Sequence, residues 1–103
     1  MIVKDAQPTS VSQSEDQFDE PQRMRVIIYN DEVTTQEFVV LLLVHLFQYT
    51  VEKAIALMLE VHLSGAGVAG IYTHDVALFK RQQAIKMARD AQYPLKIECE
   101  KVE

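Results

Sequence analysis

Met24-Arg-Val-Ile-Ile-Tyr29, followed at once by Asn30-Asp31-Glu32-Val33-Thr34, is the stretch on which the fold turns. Apart from Arg25, the first six residues are β-branched, aromatic or long and apolar, which reads as a strand. Asn-Asp-Glu breaks it, since short polar side chains bond their own backbone and favour turns. Thr34 then opens a helix: its hydroxyl can accept from a first-turn N–H while Glu37, three residues on, returns the bond as a capping box. Apolar periodicity carries that helix to about Gln48.

Downstream, Thr50 restarts the pattern as an N-cap, and a second helix runs to Ser64 before Gly65 and Gly67 end it. Val68 to Tyr72 reads as a short strand, weakened at Gly70. Thr73 caps a third helix, expected to reach about Ala91 with Lys80, Arg81, Lys86 and Arg89 on its wetter side. Pro94 closes it, and Leu95-Lys96-Ile97-Glu98-Cys99 alternates as a half-buried strand does. The order is βααβαβ. It predicts a single two-layer α+β domain over residues 23–103, a three-stranded antiparallel sheet packed against three helices.

Upstream, residues 1–22 are rich in Ser, Gln, Asp, Glu and Pro and hold few large apolar side chains. Such a segment buries too little to offset its ordering entropy, so a disordered acidic extension is expected there. It carries five acidic residues (Asp5, Glu15, Asp16, Asp19, Glu20) against Lys4, most of the chain's net charge of −5. The remainder is nearly neutral and has no basic stripe to neutralise phosphates, which argues against nucleic acid. The longest apolar run, Phe38 to Val44, is far short of the roughly 20 residues that span a bilayer. The N-terminal residues fit neither a signal peptide nor a transit peptide. One cysteine, Cys99, allows no internal disulfide, which suits a reducing compartment. A protein of the bacterial cytoplasm is the simplest expectation, with plastid stroma second.

The chemistry-bearing residues exclude more than they include. His45, His62, His74 and Cys99 show no metal-ligand spacing, so no metal and no cofactor is expected. Cys99 lies in a predicted strand without an obvious base, no serine sits in an elbow, and Gly65-Ala66-Gly67 follows a helix instead of opening one. An enzyme using His62 with Glu60 or Asp31 has only those residue types in its favour. What remains is the Asn30-to-Thr34 turn together with Met58, Val61 and His62, which share a helical face at i, i+3 and i+4. Spacing alone favours the plainer reading of core, satisfied histidine and ordinary turn.

Two stretches change that balance. Val26-Ile27-Ile28-Tyr29-Asn30-Asp31-Glu32-Val33-Thr34-Thr35-Gln36-Glu37-Phe38-Val39 resembles the signature of the ClpS family, and so does Ala56-Leu57-Met58-Leu59-Glu60-Val61-His62-Leu63-Ser64-Gly65. The family's Asn-Asp-(Asp/Glu)-x-Thr-Pro-x-Glu-Phe-Val run, its Met-x-x-Val-His before a glycine turn, and its closing Pro-Leu strand all have counterparts here. The resemblance implies an adaptor for the AAA+ unfoldase of the Clp protease, binding the N-terminal domain of a ClpA- or ClpC-type partner. Its clients would bear N-terminal Leu, Phe, Tyr or Trp. By resemblance Asn30, Asp31, Glu32 and His62 would hold the client's α-amine, and Thr34 its backbone. Gln36, Val39, Met58, Val61 and Leu95 would line the side-chain pocket. Asp75 and Lys80 would dock on the unfoldase, with the acidic extension assisting. An interaction module of the same fold, modulating the unfoldase without reading N-termini, is the alternative.

The acceptor chemistry agrees with that implication. An α-amine is mostly protonated at pH 7 and offers three donors, which an amide oxygen, a carboxylate and a neutral imidazole can accept. Two positions depart from the family pattern: Thr35 stands where Pro is usual, and Gln36 where many members carry Met. A polar amide at the pocket rim would shift preference among the four side chains, toward one with a polar handle such as Tyr.

Overall fold

The computed structural model describes residues 22–103. The expected extension therefore lies outside the described residues, save for Gln22, whose carbonyl already accepts a backbone bond from His74 at 2.8 Å. From there β1 (Arg23–Tyr29) runs through the centre of a three-stranded antiparallel sheet of order β2-β1-β3. Met24, Val26 and Ile28 alternate into the core, as a central strand with one covered face requires.

The first helix, α1 (Gln36–Phe47), begins one residue later than expected. Its cap is Thr35, not Thr34: the Thr35 hydroxyl accepts from Phe38 N at 3.2 Å. The reason is local competition. Asp31 has captured both the backbone N–H and the hydroxyl of Thr34, so that residue belongs to the turn, and the next threonine caps. Glu37 stands in the first turn, where a carboxylate suits the helix dipole. At the far end Gln48 takes the left-handed conformation, and its N–H bonds Leu43.

Helix α2 (Val51–Ser64) is capped by Thr50 and ends at Gly65, whose φ of +95° is one that side chains with a Cβ rarely adopt. Gly67, expected to help end this helix, instead lies inside β2 (Ala66–Thr73). A Cβ there would sit 2.8 Å from Val61 Cγ2 and 2.9 Å from Leu57 Cδ1. Its bareness lets the strand lie close against α2. Beyond it the β1–β2 register slips between Val26 and Ile27, leaving Ala69 as an extra residue. The Tyr49 hydroxyl donates to the Ala69 carbonyl at 2.7 Å.

Helix α3 (His74–Asp90) starts after Thr73, which occupies the cap position but makes no side-chain cap bond. Ala77, Ala84 and Ala88 are fully buried, so α3 packs on small side chains. Two of its cations are less wet than expected. Arg81 is half-buried and donates to Ile97 O at 2.8 Å, and Lys80 reaches Leu46 O at 2.6 Å. Strand β3 (Lys96–Lys101) follows Leu95, with Leu95 and Ile97 buried on alternate positions. The expected βααβαβ order, antiparallel sheet and three helices are all present.

Candidate functional site

The loop between β1 and α1 is organised by one carboxylate. Asp31 Oδ1 accepts from Val33 N at 2.8 Å and from Thr34 N at 2.7 Å, and Oδ2 accepts from the Thr34 hydroxyl at 2.7 Å. Partial burial by itself would push this carboxyl up. The bonds from Thr34 and Val33, with the nearby Arg89 charge, outweigh it and hold the carboxyl below the usual carboxylate range. Arg89 is itself placed by donating to the carbonyls of Tyr93 and Leu95 at 2.9 and 3.0 Å. The C-terminal end of α3 thus holds a positive charge near the loop.

A second bond brings the loop to α2. Asn30 N donates to Gly65 O at 2.9 Å, tying the end of β1 to the C-cap of the helix that carries His62. This tie explains how residues so far apart in sequence line one cavity of about 510 Å³, walled by residues 30–37 and His62. Asn30, Glu32 and His62 are exposed there, while Asp31 and Thr34 are half-buried. Of the four residues expected to take an amine, Asp31 differs from the rest. Three of its acceptor sites are filled inside the loop, leaving one lone pair on Oδ2, so it supports the wall and has less to offer an amine than the others.

Beside this polar cavity lies an apolar one of about 370 Å³, walled by Gln36, Glu37, Val40, Ile55 and Met58. Gln36 and Glu37 belong to both. Of the five residues expected to line a side-chain pocket, Gln36 and Met58 face this cavity. Val39, Val61 and Leu95 are 6%, 2% and 1% exposed and pack in the core behind it. Glu37, Val40 and Ile55 went unforeseen as lining. Helical spacing could have found two of them, since Val40 follows Gln36 by four residues and Ile55 precedes Met58 by three.

The two residues expected at an unfoldase interface differ in availability. The Asp75 side chain is 99% exposed, with His74 Nδ1 3.2 Å away. The Lys80 ammonium is already engaged: it donates to Leu46 O at 2.6 Å and Gln48 Oε1 at 3.1 Å, and lies over the Phe47 and Tyr72 rings. Cys99 is half-buried, and burial pushes its thiol up; Arg81 pulls it down by less, and Glu98 adds a smaller push upward. A thiol so placed makes little thiolate and is a poor nucleophile. Among the described residues no group of three His, Cys, Asp or Glu side chains could hold a metal ion. No helix among them is long and apolar enough to cross a membrane.

Four likenesses bear on this arrangement. A family model described as "ATP-dependent Clp protease adaptor protein ClpS" matches residues 19–98. A Clp protease adapter protein ClpS of Campylobacter jejuni is 39% identical over 93 residues, covering 90% of this chain and 97% of that one. One from Syntrophus aciditrophicus is 43% identical over 88 residues, covering 85% and 82%. Among solved structures, that of Agrobacterium tumefaciens ClpS2 bound to L-phenylalaninamide superposes with a TM-score of 0.78 at 26% identity, covering 81% of this chain and all of that one.

Proposed function

The chain belongs to the ClpS family of ATP-dependent Clp protease adaptor proteins, and from that premise we propose that its two joined cavities read the free N-terminus of a client polypeptide. It is an adaptor, not an enzyme. The observation that carries the reading is the meeting, across Gln36, of a cavity rich in acceptors with an apolar one. A protonated α-amine fits the first through Asn30, Glu32 and His62. A bulky first side chain (Leu, Phe, Tyr or Trp) fits the second over Met58, Ile55 and Val40, with Val39, Val61 and Leu95 as the packed floor. The solved relative bound to L-phenylalaninamide holds a ligand with both features, a free amine and a bulky side chain.

Magnitudes support a usable affinity. Hydrogen bonds to a charged group are worth roughly 1.5–3 kcal/mol each, and burying a Leu or Phe side chain about as much again. Less the cost of immobilising the peptide, two or three such terms give binding of around micromolar. The bound client would then pass to the N-terminal domain of a ClpA- or ClpC-type AAA+ unfoldase. Exposed Asp75 is the better placed of the two expected docking residues, Lys80 being held by the end of α1.

Fluorescence-anisotropy titration with two labelled peptides, identical except for a free or an acetylated N-terminal Phe, tests the reading. The free peptide should bind near micromolar and the acetylated one about 100-fold more weakly, since acetylation removes the cation and the donors that Asn30, Glu32 and His62 would accept. Equal affinities would instead favour an interaction module that ignores N-termini.

A further inference from the structure

Asp31 commits both carboxylate oxygens to its own loop, and the last of its three bonds decides what Thr34 can offer a ligand. An ionised carboxylate has no proton to give, so in the 2.7 Å contact between Thr34 Oγ1 and Asp31 Oδ2 the proton is the threonine's. A hydroxyl has one donor and two lone pairs. With its proton turned onto Asp31, Thr34 keeps only lone pairs for the cavity it lines beside Asn30, Glu32 and His62. We propose that Asp31 is a positioning residue that fixes the hydrogen-bonding sense of Thr34, making its hydroxyl an obligate acceptor for the amide N–H that follows the client's first residue. The proposal rests on the reading that this cavity holds a free N-terminus.

The geometry around the pair supports a fixed hydroxyl. The Thr34 backbone N–H is held on Oδ1 of the same carboxylate at 2.7 Å, so backbone and side chain are anchored together. Arg89 supplies a nearby positive charge, and its own place is set by the Tyr93 and Leu95 carbonyls. A neutral amide at this position would keep the shape and still accept from Val33 and Thr34 N–H through its oxygen. Its NH₂ would face Thr34 Oγ1 as a donor, and the hydroxyl proton would swing toward the cavity. Two donors would then oppose each other where the client presents an N–H.

The test compares two small ligands with the same α-amine and side chain, L-phenylalaninamide and L-phenylalanine methyl ester, only the first of which carries the following N–H. Calorimetric titration of the native protein should favour the amide by about three- to tenfold, the worth of one ordinary hydrogen bond. In Asp31→Asn that ratio should fall close to one, and Thr34→Val should do the same by removing the acceptor. Because the ratio is read within each protein, a loss of folded material does not move it, and Asp31→Ala, which also releases the Thr34 hydroxyl and should lower the ratio, serves if Asp31→Asn fails to fold. A native ratio near one overturns the proposal. So does an Asp31→Asn variant that loses affinity for both ligands equally, the result of a purely structural role. If the native protein binds neither ligand, the reading of the cavity itself fails, and this inference with it.

Discussion

The two cavities that meet at Gln36 are built by different means. The polar one is almost wholly local: residues 30–37 are one continuous stretch, shaped by Asp31 bonding to Val33 and Thr34 and by Thr35 capping α1. His62 is its one distant member. The apolar one has no local existence. It forms because α1 and α2 pack so that Gln36 and Val40 of one helix face Ile55 and Met58 of the other. The difference separates two kinds of recognition. On the proposed reading, a hydrogen-bonded loop would keep acceptors aimed at one cation, whereas a gap between helices would accept any apolar group that fits and discriminate by a few kcal/mol at most.

Removing the distant member should break the polar side alone. His62→Ala is expected to weaken binding of a free-amine Phe peptide by about 10- to 100-fold, the loss of one charge-assisted bond. His62 is exposed, so thermal unfolding followed by circular dichroism should move little, within about 0.5 kcal/mol. A large drop in stability with unchanged affinity would mean that His62 belongs to the packing and not to the amine site.

Changing the shared wall should sharpen the comparison more gently. Gln36→Met replaces an exposed amide at the rim of both cavities with an apolar side chain. Relative affinity for N-terminal Leu and Phe over Tyr should rise by about two- to fivefold, less than one well-made hydrogen bond. Titration of four peptides differing only in residue one measures this. An unchanged ranking would show that Gln36 faces solvent and leaves the choice of side chain to Val40, Ile55 and Met58.

The smallest effect is on acid stability. Asp31 has a folded-state carboxyl lowered below its unfolded value of roughly 3.9. Its ionised form is therefore preferred in the folded protein, a contribution present above that value and lost as pH falls through the folded one. Asp31→Asn should flatten the fall in unfolding free energy between neutral pH and about pH 3, as measured by urea melts at each pH. An identical pH profile in the variant would show that the loop bonds do not discriminate the charged from the neutral side chain.

Much of this architecture could be read before any coordinates. The strand at 24–29, the helix starting at Thr50 and ending at Gly65, and the alternation of Leu95 and Ile97 each follow from a few adjacent residues, whose propensities and caps agree with the tertiary packing. Where two local signals competed, the reading slipped. Thr34 and Thr35 can both cap a helix, and the choice fell to Thr35 because Asp31 takes the Thr34 hydroxyl, a contest that composition does not rank. Gly67 looked like a helix stop, and its actual use depends on Val61 and Leu57 lying within 3 Å of where a Cβ would be.

The sequence by itself determined the residue types of the site and the turn that holds most of them, because hydrogen bonds between residues two or three apart need no other element. Only the tertiary structure decided that His62 joins that turn, through Asn30 N on Gly65 O. It alone put Val39, Val61 and Leu95 into the core while Val40 and Ile55 face the cavity. It also gave Lys80 to the Leu46 carbonyl near the end of α1 and to the Gln48 side-chain amide. Those outcomes depend on which faces of separate helices meet, and a helical repeat read in isolation is silent on that.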